Sequence, residues 1–157
     1  MENIKTNVMR ILDKSNIDYK VFYVEPDKVV DGVVNAHLIG KDEKSTLKTL
    51  VTVGKSKEHY VFIIPVNKSL NLKSAAIAAG EKNIEMITQK ELLPLTGFVH
   101  LGCSPIGMKH KYKTIADESI KNFENIVISG GKIGVSLELK VKDLEKMTDL
   151  TYANCIE

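Results

Sequence analysis

The sequence predicts an α+β fold in which a single domain, residues 1–157, is built on a mixed, mostly antiparallel, barrel-like sheet with peripheral helices. Three observations support this prediction. A chain of 157 residues fits one domain with its own core. Six or seven short segments rich in β-branched residues occur among helical patterns, without the regular alternation of a parallel β/α fold. No repeat, low-complexity tract or linker interrupts this order.

The first third of the chain is predicted to hold two helices with a strand between them. Apolar residues at helical spacing indicate an amphipathic helix over residues 3–16. Alternating β-branched and aromatic residues predict a strand over 19–24, which ends at a Glu-Pro-Asp turn. A short helix follows, with Asp31 as its N-cap and Gly40 as its stop.

The middle of the chain predicts a central hairpin followed by smaller elements. Segments 46–53 and 60–66 are rich in Val, Ile and Thr, and the polar turn 54–58 joins them. Asn71 is expected to cap an alanine-rich helix over 72–79 that Gly80 ends. A strand at 84–87 precedes a helix at 88–93, for which Thr88 and Glu91 have the capping-box spacing.

The last third continues with short strands and one helix. Residues 97–100 are expected to run extended into a glycine loop. Strands are predicted at 114–116, 126–129 and 135–139, with a Gly-Gly-Lys turn at 130–132. The final predicted helix covers 141–147.

The most informative motif is the loop Gly102-Cys103-Ser104-Pro105-Ile106-Gly107. Glycines at both ends permit φ values that other residues resist, and Pro105 fixes its own φ. We therefore expect an exposed, rigid loop whose backbone N–H groups face an oxyanion or phosphate. By itself the motif fits an ordinary surface turn better.

Composition excludes several classes of protein. There is no apolar tract of 18 residues and no signal-peptide pattern, so a cytoplasmic protein without a membrane partner is expected. The net charge of +2 is too small to indicate nucleic-acid binding by itself. Neither cysteine, Cys103 or Cys155, has metal-site or redox-motif spacing, and no metal or cofactor is expected.

Two residues are candidates for chemistry, each with a structural alternative. Cys103 could be a nucleophile, but with no recognisable base it is better explained as a small side chain that fills the turn. Lys48 shares a strand face with Leu50, and it either points into a cavity or protects a sheet edge. The basic residues at 109–113 and the group at 41, 44 and 48 are either binding surfaces or solvated faces.

The ordered set of motifs closely resembles the YbaK/EbsC family of free-standing aminoacyl-tRNA deacylases. This family is related to the editing domain inserted in bacterial prolyl-tRNA synthetases. The similarity runs from residues 5–7 to 138–139 and rests on these segments: Lys48-Thr49-Leu50-Val51, Pro65-Val66, Asn71-Leu72-Lys73, Gly80-Glu81-Lys82 with Glu85-Met86, Thr96-Gly97-Phe98, Gly102 to Gly107, and Ser129-Gly130-Gly131-Lys132.

The resemblance implies the family's fold and the removal of cysteine from mischarged Cys-tRNA(Pro), with Cys-tRNA(Cys) as a further substrate. In the family's mechanism the substrate thiol attacks its own ester carbonyl and gives a thiolactone and free tRNA. The alternatives are a deacylase for another mischarged tRNA, such as Ala-tRNA(Pro), and a non-catalytic module that binds a tRNA 3′ end or small ligand. Prolyl-tRNA synthetase is a candidate partner.

The resemblance also assigns roles to residues. It implies catalytic roles for Lys48, Gly102 and Gly107. The residues expected to bind substrate are Tyr23, Thr49, Cys103, Ser104, Pro105, Ile106 and Ser136, and those expected to bind tRNA are Lys109, Lys111, Lys113 and Lys132. The chain departs from relatives at Leu101, where a glycine is frequent, at Ser136, where some have Asp, and at Val24, where some have a pocket Tyr.

Overall fold

The computed structural model describes residues 4–157, which form five α-helices and eight β-strands. The helices are α1 Asn7–Lys14, α2 Gly32–Leu38, α3 Leu72–Ala79, α4 Gln89–Thr96 and α5 Val141–Thr148. The strands are β1 Lys20–Tyr23, β2 Leu47–Gly54, β3 His59–Pro65, β4 Ile84–Met86, β5 Lys113–Asp117, β6 Asn125–Ser129, β7 Val135–Lys140 and β8 Thr151–Ala153. All seven predicted strands form, whereas β8 was not predicted.

The predicted helix caps are confirmed. The Asp31 carboxylate accepts a hydrogen bond from the Val34 amide at 2.8 Å, and Asn71 caps α3 in the same way. The Glu91 carboxylate accepts from the Thr88 amide at 3.0 Å, which is one half of the predicted capping box. The first helix was predicted over residues 3–16, but α1 covers Asn7–Lys14, and the Thr6 hydroxyl caps its start by accepting from the Met9 amide at 3.2 Å; residue 3 lies outside the described residues.

The larger sheet has five strands in the order β4-β2-β3-β5-β8. The predicted hairpin of β2 and β3 is antiparallel and central, as expected. Strands β5 and β8 add in parallel to one side, and β4 pairs with the last three residues of β2 on the other side. The first half of β2 therefore has one edge that β4 does not cover.

The smaller sheet is antiparallel, with the order β1-β7-β6. It meets the larger sheet just before β2, where Thr46 forms a parallel bridge with Val127 of β6. The α+β class and the mostly antiparallel pairing are confirmed. The barrel-like closure is not, because the strands form two separate sheets rather than one closed ring.

Alternation along β3 explains how the larger sheet is buried on both faces. Val61 and Ile63 belong to the main core, which α1 and the smaller sheet cover. Phe62 and Ile64 belong to a second core beneath the alanines of α3. None of the helices in residues 4–157 is long and apolar enough to cross a membrane.

We predict that the turn before β7 tolerates no side chain at Gly134. Its φ is +87°, and an added Cβ would lie 2.2 Å from the Val24 carbonyl oxygen. Gly134→Ala should lower the free energy of unfolding by about 2–4 kcal/mol, because strain and overpacking add. The control is Gly40→Ala, which has φ +71° but no atom within 4 Å and should cost only about 1 kcal/mol. Equal losses in chemical denaturation would contradict the packing explanation.

Candidate functional site

A cavity of about 460 Å³ lies where the two sheets meet. Its walls come from α2 and the residues before it, the first half of β2, the facing ends of β6 and β7, and residues 100–103. Of the residues singled out from the sequence, Lys48, Thr49, Cys103 and Ser136 line this cavity. The fold thus brings together four predicted site residues from three distant parts of the sequence.

Lys48 contributes a cation to the cavity wall. It lies on β2 opposite Ile64 and is half-buried. Burial lowers its pKa below the ordinary 10.5, and the nearby Asp31 carboxylate partly opposes that shift. Within residues 4–157 its ammonium group forms no hydrogen bond or ion pair. A half-buried ammonium group without a protein partner can donate to a ligand.

The loop 102–107 is buried, so the expectation of an exposed loop is wrong. Ser104 is fully buried and Ile106 is 2% exposed. An added Cβ at Gly107 would lie 3.1 Å from the Ile11 side chain of α1, against which the loop packs. Gly107 has φ +86°, as expected of a glycine end. Helix α1 therefore covers one side of the loop, whose opposite side faces the cavity through Cys103.

Gly102 is required for a different reason from the expected one. It does not have a positive φ; the left-handed residue is the neighbouring Leu101, at +67°. A Cβ on Gly102 would meet the Ile133 nitrogen at 3.1 Å and the Lys132 carbonyl carbon at 3.3 Å. A side chain here would displace the 130–134 turn rather than enter the cavity. Gly102 is therefore a close-packing position.

One backbone N–H of the loop, on a residue that lines the cavity, has no acceptor within residues 4–157. The Gly102 amide donates to the Val99 carbonyl at 3.0 Å, and the Ile106 amide donates to Ser104 Oγ at 3.3 Å. In the described part of the chain, the amide of Cys103 has no acceptor. Because Cys103 lines the cavity, this N–H is a candidate donor to a ligand oxygen.

The Cys103 thiol is poorly suited to nucleophilic attack. Burial raises its pKa to about 12, although Thr96 partly opposes the shift. A thiol with such a pKa is almost entirely protonated near neutral pH, and the thiolate is the reactive form. The side chain therefore fills the loop, the alternative that the sequence favoured.

Other sequence-predicted site residues lie elsewhere. Tyr23 points to the core face of the smaller sheet, where its hydroxyl donates to the Ile4 carbonyl at 3.3 Å. Ser104, Pro105 and Ile106 are buried behind Cys103 and do not line the cavity. These placements give none of the four direct access to a ligand in the cavity.

The four lysines predicted to bind tRNA are all exposed. Lys132 is exposed in the turn that packs against Gly102. Lys113 pairs with Tyr60 of β3. Tyr60 lies four residues before Ile64, which pairs with Lys48. Lys111 forms an exposed ion pair with Asp149 at 2.8 Å, and Lys109 is also exposed. Of these lysines, Lys132 is the one placed beside the loop that borders the cavity.

Asn35 was missed by sequence reasoning. It lies on α2, lines the cavity and donates from Nδ2 to Ser136 Oγ at 3.0 Å. Its Oδ1 is shielded from solvent and has no hydrogen-bond partner in residues 4–157. A lone asparagine in a short helix gives no signal of this role.

Within residues 4–157 there is no group of three His, Cys, Asp or Glu side chains that could hold a metal ion.

The chain is similar in sequence to known proteins. The family model for the aminoacyl-tRNA editing domain matches residues 27–147. The Enterococcus faecalis protein named "Putative Cys-tRNA(Pro)/Cys-tRNA(Cys) deacylase EbsC" is 35% identical over 150 residues, which cover 95% of this chain and 92% of that protein. Proline–tRNA ligase of Thermodesulfovibrio yellowstonii is 28% identical over 88% of this chain but only 25% of the ligase.

The fold also matches solved structures. A crystal structure described as a putative trans-editing enzyme for prolyl tRNA synthetase superposes with a TM-score of 0.85. The two chains are 22% identical, and the match covers 99% of each. At that identity the likeness establishes the fold alone. Together with the match of the family model over most of the sequence, these findings show that the chain belongs to the aminoacyl-tRNA editing domain family.

Proposed function

We propose that this chain is a deacylase that acts in trans on mischarged Cys-tRNA(Pro), with Cys-tRNA(Cys) as a further substrate, and that residues 1–157 work as one editing domain. The observation that carries the proposal is the half-buried ammonium group of Lys48, which has no partner within residues 4–157, in a cavity that Cys103 also lines. The name of the Enterococcus faecalis relative supports the choice of substrate.

The chemistry follows from the donors in the cavity. Lys48 and the Cys103 N–H would both donate to the ester carbonyl oxygen and stabilise the negative charge that develops there. The thiolate of the substrate cysteine attacks the carbonyl carbon, so a C–S bond forms. The ester C–O bond then breaks, the tRNA oxygen takes a proton, and a thiolactone and free tRNA result. This reaction needs no nucleophile from the protein, in keeping with the protonated state of Cys103.

The need for such an enzyme is physical. Cysteine and proline have similar volumes, and a synthetic pocket discriminates poorly between near-isosteric apolar groups. A second site, at which the reaction requires a thiol on the substrate, discriminates between cysteine and proline, because proline has no thiol. The similarity of this chain to a quarter of a proline–tRNA ligase supports prolyl-tRNA synthetase as a functional partner.

The tRNA is the proposed macromolecular partner, and we place the protein with it in the cytoplasm. Its aminoacylated 3′ end would enter the cavity, while exposed Lys132 beside the loop would contact the phosphates. Lys109, Lys111 and Lys113 are proposed as more distant backbone contacts. Deacylation measured against a panel of charged tRNAs tests the proposal, and preferential release of alanine would replace cysteine as the substrate.

We predict that Lys48→Ala is severely impaired in catalysis but folds normally. Losing one donor to the oxyanion should lower kcat by about 10²–10³. The folded-state pKa of Lys48 lies below 10.5, so the fold disfavours the charged form and its removal should not lower the free energy of unfolding. Lys48→Arg should also be impaired, because a planar guanidinium group has a different shape.

The control for this variant is Lys55→Ala, which removes an exposed lysine from the turn between β2 and β3. It should keep kcat. Deacylation rates and thermal unfolding of both variants are measured together. Early melting or normal turnover of Lys48→Ala would contradict a catalytic role for Lys48.

The thiol-assisted step predicts strong discrimination between two nearly isosteric substrates. Ser-tRNA(Pro) should be deacylated far more slowly than Cys-tRNA(Pro), because a thiol is partly ionised near neutral pH and a hydroxyl is not. Single-turnover rates with both substrates measure the ratio. Equal rates would instead indicate attack by an activated water.

Cys103→Ala should retain most of the activity. The raised pKa of the thiol also predicts that Cys103 reacts slowly with iodoacetamide in the folded protein at pH 8 and rapidly after unfolding. Mass spectrometry of the labelled protein gives the rate at each cysteine. A trapped thioester at Cys103, or loss of nearly all turnover in the alanine variant, would establish covalent catalysis.

A further inference from the structure

The α2 wall of the cavity carries one buried hydrogen-bond acceptor that no residue within 4–157 satisfies. The Asn35 amide is held at one end, where Nδ2 donates to Ser136 Oγ at 3.0 Å. Its other end, Oδ1, is shielded from solvent and unpartnered within residues 4–157. A buried acceptor without a donor is unfavourable, so a ligand that supplies the donor gains affinity.

A second acceptor lies one helical turn away. Asp31, the N-cap of α2, precedes Asn35 by four residues, and both residues line the cavity. The Asp31 carboxylate accepts from the Val34 amide at 2.8 Å and keeps further acceptor capacity. The proximity of this carboxylate to Lys48 is evident in its effect on the Lys48 pKa.

The cavity is therefore polarised. Lys48 and the Cys103 amide provide donors from β2 and the loop, whereas Asp31 and Asn35 provide acceptors from α2. An α-aminoacyl ester has the complementary arrangement, because its carbonyl oxygen accepts and its α-ammonium group, two bonds from the carbonyl carbon, donates three hydrogen bonds.

We infer that Asn35, together with Asp31, binds the α-ammonium group of the substrate, so that the cavity accepts only aminoacyl esters with a free amine. Rotation about the Asn35 Cβ–Cγ bond would turn Oδ1 towards the cavity, and Nδ2 would then move away from Ser136 Oγ. The ammonium group then donates to Oδ1, and the Asp31 charge attracts it. This inference rests on the proposed function and adds a restriction on its substrates.

The consequence is protection of N-acylated tRNAs. An N-acylated aminoacyl group has no charge on nitrogen and one N–H donor in place of three. It also carries an added acyl group into the space beside α2. Peptidyl-tRNA and other N-blocked esters would be spared even where their side chain is a cysteine.

The experiment compares Cys-tRNA(Pro) with N-acetyl-Cys-tRNA(Pro), which keeps the thiol. The wild-type protein should prefer the free amine in kcat/KM by about 10- to 100-fold, as expected for hydrogen bonds to a charged group. Asn35→Leu should lower kcat/KM for Cys-tRNA(Pro) and leave kcat/KM for the acetylated substrate unchanged. Most of the preference should therefore disappear. Asn35→Asp, which keeps an acceptor, should retain the preference.

Charge is tested by Asp31→Asn, because asparagine caps helices as well as aspartate does. This variant should weaken the preference without unfolding α2. The control Asp27→Asn removes a charge from the exposed turn before α2, away from the cavity lining, and should change nothing. Calorimetry with 3′-deoxy-3′-(alanylamino)adenosine and its N-acetyl form gives a readout that does not need turnover.

The outcomes separate the inference from the function on which it rests. Equal turnover of the free and acetylated substrates by the wild-type protein would overturn the inference and leave the deacylase intact. Equal affinity for the two adenosine analogues would do the same. Failure to deacylate either tRNA or to bind either analogue would overturn both.

Discussion

The junction between the two sheets is the constraint on which the site depends. Strand β4 pairs only with the last residues of β2, which leaves the first half of that strand uncovered on one edge. Strand β6 meets this edge just before β2, where the Val127 amide donates to the Ser45 carbonyl at 2.9 Å. Beyond this contact the sheets diverge, and the cavity occupies the gap. Lys48 lies on the half of β2 that this arrangement leaves uncovered, and it lines the cavity.

The same junction sets the electrostatic properties of the site. Lys48 is buried enough to lower its pKa, yet the described residues give it no ion pair. A partly desolvated charge interacts with a ligand more strongly than one in water, because the local dielectric constant is lower. The buried loop behind Cys103 adds rigidity, since α1 covers its other side. Donors held in this way need little reorganisation when charge develops on a substrate.

Sequence reasoning succeeded where the determinants are local. The caps at Asp31 and Asn71 and the central hairpin follow from neighbouring residues, and all of them form. Through the family resemblance it placed Lys48, Cys103 and Ser136 in one site, and all three line the cavity, but it missed other features that arise where distant segments meet. The open arrangement of the sheets, the burial of the 102–107 loop and the exposure of Asn35 to the cavity depend on tertiary packing. Tyr23 was expected to bind substrate because of the family resemblance, but its side chain packs against the main core and its hydroxyl donates to the Ile4 carbonyl.

Leu101 contributes an apolar residue to the cavity lining. Its φ of +67° costs a residue with a side chain about 1–2 kcal/mol, and the packed loop beside it holds this conformation. The side chain joins Leu92 and Val135 in the cavity lining. Apolar groups there and polar groups at Lys48 and Asn35 give the cavity two chemically distinct parts. Under the proposed function, the polar residues would bind the ester and amine that all aminoacyl groups share. The apolar residues would contact the side chain, which differs among them, so the shape of that lining would set which side chains are accepted.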